Sequence, residues 1–221
     1  MIITKKKDPS LILEYLDGRK KVYLFGCNSC AEQCQTGGKR ELDEMTVILR
    51  ENGKEITGTS LIDETCYKML VKKEFKANEA IMSSDAILVL ACGAGVKTVA
   101  EIAENSTPVF PALDSLFLAS VERYGRFFEG CSLCGECILG STAGICPHTL
   151  CPKGLLNGPC GGVINGRCEV NIENNCVWVD IFKRLKAQDR LNVLKKIHPP
   201  KDYSNGVKPR KVILERKKTR V

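Results

Sequence analysis

Apolar residues in the first 125 positions fall into short continuous runs, separated by stretches with a three-to-four-residue period. Lys21-Val-Tyr-Leu-Phe-Gly26 predicts a strand that stops at a glycine. Residues 41–51 put Leu42, Met45 and Leu49 on one face and predict a helix ending near Asn52-Gly53. Residues 56–62 predict a strand weakened by Gly58, and residues 66–82 are helical in composition. The run 85–90 reads as a buried strand, with Cys92-Gly-Ala-Gly95 and a helix over 96–104 behind it. Residues 107–111 close the series as a short strand with Pro108 near its start. Strand–helix alternation of this kind implies a parallel sheet and an α/β fold.

Past Tyr124-Gly125 the periodicity disappears, and glycine, proline and cysteine dominate up to Cys168. A segment with so little apolar surface is not stabilised by core burial and needs a metal or a similar staple. An amphipathic helix returns over residues 177–194, with Trp178, Ile181 and Leu185 facing inward. The expected organisation is a small parallel-sheet N-terminal domain over residues 1–125. An irregular cysteine-rich, metal-binding C-terminal domain follows over 126–221, with one helix and an extended basic tail.

Charge sharpens the division. The net charge of +7 comes from residues 183–221, where fourteen Lys/Arg face three Asp/Glu, a balance of +11 that leaves −4 for the rest. The tail has Pro199-Pro200, Lys208-Pro209 and a short apolar run, Val212-Ile-Leu214, without interleaved aromatics. That mixture suits an extended arm on a partner, or a solvated end, better than a nucleic-acid-reading element. The longest apolar run, residues 86–92, is far below the ~20 residues of a membrane span. The basic N-terminus has no apolar signal core, so the expected location is the cytoplasm.

In a reducing compartment the thirteen cysteines should not pair as disulfides. They form two constellations. The first follows the first predicted strand: Cys27-x₂-Cys30-x₃-Cys34, then Gly37-Gly38. Three thiols at a strand end can converge on one small object, with glycines letting backbone amides approach it. Cys92 is the expected fourth ligand, because open α/β sheets build their sites at the carboxyl edge. Cys66 is its competitor. The second constellation is Cys131, Cys134, Cys137, Cys146, Cys151, Cys160, Cys168 and Cys176, eight thiols in 46 residues. Its opening C-x₂-C-x₂-C resembles a ferredoxin loop that holds a four-iron cubane. Paired zinc knuckles would show two such doublets instead. We expect two or three [4Fe-4S] clusters, one C-terminal site being open to zinc, with Cys131, Cys134, Cys137 and Cys176 around one centre. Cys146, Cys151, Cys160 and Cys168 are assigned to the other. His148 falls between Cys146 and Cys151 and suits a supporting position beside a ligand.

Catalytic material is thin: two histidines, His148 and His198, no Walker A motif and no dinucleotide fingerprint. No catalytic residue is expected. The competing reading is a zinc-stabilised scaffold or a nucleic-acid-binding module without a redox role.

Several motifs resemble a known family. Gly144-Ile-Cys-Pro-His-Thr-Leu-Cys-Pro-Lys-Gly-Leu-Leu-Asn-Gly-Pro-Cys-Gly-Gly162, Gly166-Arg-Cys-Glu-Val170, Asn175-Cys-Val-Trp178 and Pro199-Pro-Lys-Asp202 resemble the methylenetetrahydrofolate reductase C-terminal domain. The N-terminal half, with Gly26-Cys27 and Ala91-Cys-Gly-Ala-Gly95, is similar to the remainder of the MetV-like small iron–sulfur subunits. The resemblance implies an electron-transfer subunit paired with a flavin-containing methylenetetrahydrofolate reductase catalytic subunit in one-carbon metabolism. FMN would sit only on that partner, and an upstream electron-donor protein would feed the clusters.

Overall fold

The computed structural model describes residues 1–103 and 107–214. They form two compact units, Met1–Phe128 and a second beginning at Glu129. In the first unit the chain runs β1 (Ile2–Lys6), α1 (Pro9–Tyr15), β2 (Lys21–Cys27), α2 (Cys30–Gln33), α3 (Lys39–Glu51), β3 (Glu55–Ile62), α4 (Lys68–Ala77), β4 (Ala86–Leu90), α5 (Gly93–Ala103), β5 (Val109–Pro111), β6 (Leu113–Arg123) and β7 (Arg126–Glu129).

Strands β2–β5 make one parallel sheet in the order β3-β2-β4-β5. The parallel α/β expectation holds. The inner strands β2 and β4 are buried along almost their whole length, as strands covered on both faces must be. Tyr23, Phe25, Leu88 and Leu90 are fully enclosed. Helix α3 buries Leu42, Met45 and Leu49, and the Glu41 carboxylate accepts from the Gly38 amide at 3.0 Å, which closes its first turn. Each such leucine contributes roughly 1.5–3 kcal/mol by leaving water.

The predicted strand forms with Gly58 inside it. The β2–β3 register shifts there, and a Cβ at this position would stand 2.6 Å from the Tyr23 ring. Glycine makes room for a buried tyrosine whose hydroxyl is held by Ser60 at 2.7 Å and Asn78 at 2.5 Å. Helix α5 starts at Gly93, ahead of the expected 96, and the end of that predicted helix at 104 lies outside the described residues.

A second, antiparallel sheet of order β1-β6-β7 was not expected from the sequence. Strand β6 has no sustained apolar alternation, and only Leu113 and Ala119 in it are buried. It is stabilised by pairing with β1, more than a hundred residues away, which no local pattern reveals.

The second unit has little regular structure: α6 (Pro147–Leu150), α7 (Val177–Ala187) and two 3₁₀ turns. Helix α7 is seven residues shorter than the predicted 177–194, because Gln188 to Arg190 turn the chain before a 3₁₀ turn over Leu191–Lys195. Its inward face is the predicted one. Trp178, Ile181 and Leu185 form a small core with Cys176 and Val177, and Trp178 Nε1 donates to the Leu155 carbonyl at 3.0 Å. Among the described residues no helix is long and apolar enough to cross a membrane.

Candidate metal centres

All thirteen cysteines are free. In the first unit three of them gather at the carboxyl edge of the parallel sheet. Cys27 ends β2, Cys92 follows β4 and Cys66 lies in the loop after β3. Strand order β3-β2-β4-β5 makes the gap between β2 and β4 the topological switch point, where connections diverge and leave a crevice.

Backbone and side-chain bonds draw the three loops together. The Thr65 hydroxyl donates to the Gly26 carbonyl at 2.9 Å, and Thr98 Oγ1 in α5 donates to the Cys66 carbonyl at 3.3 Å. The Val96 amide donates to the Cys92 carbonyl at 3.1 Å. Cys27 Sγ is 3.9 Å from the Asp63 carbonyl, on the side from which Cys66 arrives. Burial pushes the Cys66 thiol's pKa up, and the neighbouring Cys92 and Cys27 push it further. Three sulfurs that would repel one another as thiolates are thus held at one edge. Cys30 opens α2 directly behind Cys27. Cys34 ends that turn, and its Sγ stands 3.8 Å from the Ile2 carbonyl of β1. Gly37 crosses the strand ends so closely that a Cβ there would stand 2.0 Å from the Leu90 carbonyl oxygen, and its own carbonyl accepts from Cys27 N at 2.9 Å.

The second unit holds two four-thiol cavities. Cys131, Cys134, Cys137 and Cys146 line one of about 350 Å³. Cys151, Cys160, Cys168 and Cys176 line another of about 20 Å³. This exchanges Cys146 and Cys176 relative to the sequence-based grouping. The physical reason is the fold of α6 and α7: Cys146 caps α6 on the side of the Cys131–Cys137 loop, while buried Cys176 opens α7 against Cys151.

In the larger cavity the backbone already points at sulfur. Leu133, with a left-handed φ of 53°, donates its amide to Cys131 Sγ at 3.3 Å. Gly135, at φ +87°, passes against Asn205, where a Cβ would come within 2.8 Å. Lys201 and Arg210 line the same cavity, Lys201 being only 8% exposed. Burial is the largest single influence and opposes charge on both Lys201 and Cys134, but their hydrogen bond, their mutual charge attraction and the nearby Glu136 together outweigh it: the lysine pKa is raised and the thiol pKa lowered. In the smaller cavity Cys160 Sγ stands 3.1 Å from Glu169 Oε1, and Lys153 pairs with the same carboxylate. His148 lines neither cavity and stands 6.2 Å from the Tyr203 ring.

Among the described residues, no three His, Cys, Asp or Glu side chains stand at metal-holding spacing. The thiols line their cavities without being drawn onto a common point. The donor set nonetheless fits. Four sulfurs, an amide aimed at sulfur and two cations suit an anionic thiolate-bound group in the larger cavity. The smaller one has room for little more than one atom, which suits a single tetrahedral ion.

Sequence reasoning passed over Cys66 as a first choice and counted Lys201 as tail charge. The only hint for Lys201 was its position in the Pro199-Pro-Lys-Asp202 motif.

Residues 110–204 match a family model described as the methylene-tetrahydrofolate reductase C terminal. The matched segment begins in β5, covers the β6–β7 hairpin and includes all eight cysteines of the second unit. No curated protein and no solved structure matches the chain.

Proposed function

We propose that this chain is a metal-carrying electron-transfer subunit of a methylenetetrahydrofolate reductase system in the cytoplasm, linked to one-carbon metabolism. The observation that carries the reading is the larger cavity, where Cys131, Cys134, Cys137 and Cys146 face one space beside Lys201, all inside the segment similar to the reductase C terminal, with Arg210 reaching in from beyond it.

Cys131, Cys134, Cys137 and Cys146 would hold one [4Fe-4S] cluster. Cys27, Cys66 and Cys92, with Cys30 as the fourth, would hold another at the sheet edge. Cys151, Cys160, Cys168 and Cys176 would hold zinc, a structural ion for a unit with a small core. A bound cluster supplies one-electron chemistry at a potential tuned by its surroundings. The chain's own residues supply the rest. Leu133 N–H steadies the Cys131 sulfur, Thr65 and Thr98 fix the loop that presents Cys66, and Glu169 with Lys153 screens Cys160. FMN and substrate chemistry are assigned in this reading to a partner catalytic subunit.

The test is iron, zinc and acid-labile sulfide per chain on protein purified without oxygen, together with an anaerobic pull-down. Roughly eight iron, matching sulfide, about one zinc and a co-purifying flavoprotein are expected. Zinc at every site with no sulfide would reduce the chain to a scaffold.

A further inference from the structure

We propose that Lys201 is the charge-compensating residue of the Cys131/Cys134/Cys137/Cys146 cavity and sets the reduction potential of the iron–sulfur group held there. The inference rests on the reading of that cavity as a cluster site and adds to it the residue that governs its electron affinity.

Lysine is seldom buried without a partner, because desolvating an ammonium is costly. Lys201 is 8% exposed, yet among the described residues no carboxylate lies within ion-pair distance of its Nζ. Glu136, whose charge acts on Lys201, uses its carboxylate to accept from the Asp202 amide at 2.9 Å. Nζ donates instead to the Glu136 backbone carbonyl and faces the four thiols. A buried cation whose partners are a carbonyl and the Cys134 sulfur, with no paired carboxylate, is stabilised further once anionic thiolates fill the cavity wall it faces. Arg210 adds a second cation from a more exposed position, anchored by Nη1 on the Leu133 carbonyl at 2.9 Å.

The consequence for electron transfer is electrostatic. Taking one electron from an external one-electron donor adds one negative charge to a thiolate-ligated group and breaks no bond. An ammonium fixed in a poorly solvated wall favours the more negative form and raises the potential. Solvent screens Arg210 more, so its contribution is smaller.

The test is a dithionite titration of the full chain at poised potentials, followed by electron paramagnetic resonance, with iron and sulfide counted in every sample. Lys201→Gln is expected to keep its iron and move the midpoint to lower potential. Lys201→Arg should stay near the parent value, and Arg210→Gln should move less than Lys201→Gln. An unmoved midpoint in iron-replete Lys201→Gln overturns the proposal while leaving the cluster reading intact. If Lys201→Gln emerges without iron, Arg210→Gln decides: a lowered midpoint supports charge compensation and an unchanged one overturns it. If Cys134→Ser leaves iron and sulfide untouched, the cavity holds no cluster and both readings fall together.

Discussion

The Thr65 hydroxyl donates to the carbonyl of Gly26 across 2.9 Å, in a fully buried position at the end of the central strand β2. That single bond ties the Cys66 loop to the strand that ends in Cys27, and so joins two thiols thirty-nine residues apart in sequence. Thr65→Val keeps the shape and removes the donor, leaving a buried carbonyl short of a partner. A loss of about 1–3 kcal/mol in urea denaturation is expected, with reduced iron retention at the sheet edge. Unchanged stability would mean that the loop is held by other contacts.

The grouping of the C-terminal thiols has a direct chemical readout. Cys146→Ser should lower iron by about four per chain and leave zinc in place. Cys176→Ser should release zinc and leave iron unchanged. The reverse pattern would restore the sequence-based grouping, in which Cys176 joins Cys131, Cys134 and Cys137.

Gly58 faces the Tyr23 ring, where a Cβ would stand 2.6 Å from Cε2. Gly58→Ala should therefore destabilise the first unit by about 1–3 kcal/mol through overpacking, despite alanine's lower chain entropy in the unfolded state. Chemical denaturation checks it, and a stabilised variant would show that Tyr23 moves freely aside.

The Asp85 carboxylate accepts from the Lys21 and Lys20 amides, at 2.7 and 2.9 Å, and these bonds hold its pKa below the ordinary value. Because the folded-state pKa is depressed, the stabilisation is present above the unfolded aspartate pKa of ~3.9 and disappears as pH falls through the folded one. The melting-temperature difference between the parent and Asp85→Asn should be constant from pH 6 to 8, on the order of the neutral range, and shrink below about pH 4. A difference that persists in acid would assign the effect to shape and not to charge.

Strands β2 and β4 were legible in the sequence because central parallel strands are buried on both faces and read as unbroken apolar runs. Helix α3 was legible from the spacing of Leu42, Met45 and Leu49. Strand β6 was not, since what orders it is a partner strand at the other end of the unit. Cys66 stood in the sequence only as the competitor of Cys92, because three residues separate it from the end of β3, and it is the Thr65 and Thr98 bonds that tie its loop to the edge. Lys201 was hidden by its neighbours, for a lysine in a basic stretch carries no local mark of burial.

The chain by itself determined the residue types and where they cluster: an α/β half, a cysteine-rich half and enough thiols for several metal centres. Periodicity and spacing are local properties, and the residues carry them wherever they are placed. Which thiols share a cavity, and which lysine is buried beside them, was decided only by the tertiary structure. Those are questions of distance between segments far apart in sequence, and it is the packing of α6, α7 and the strand-edge loops that brings such segments within a few ångströms of one another.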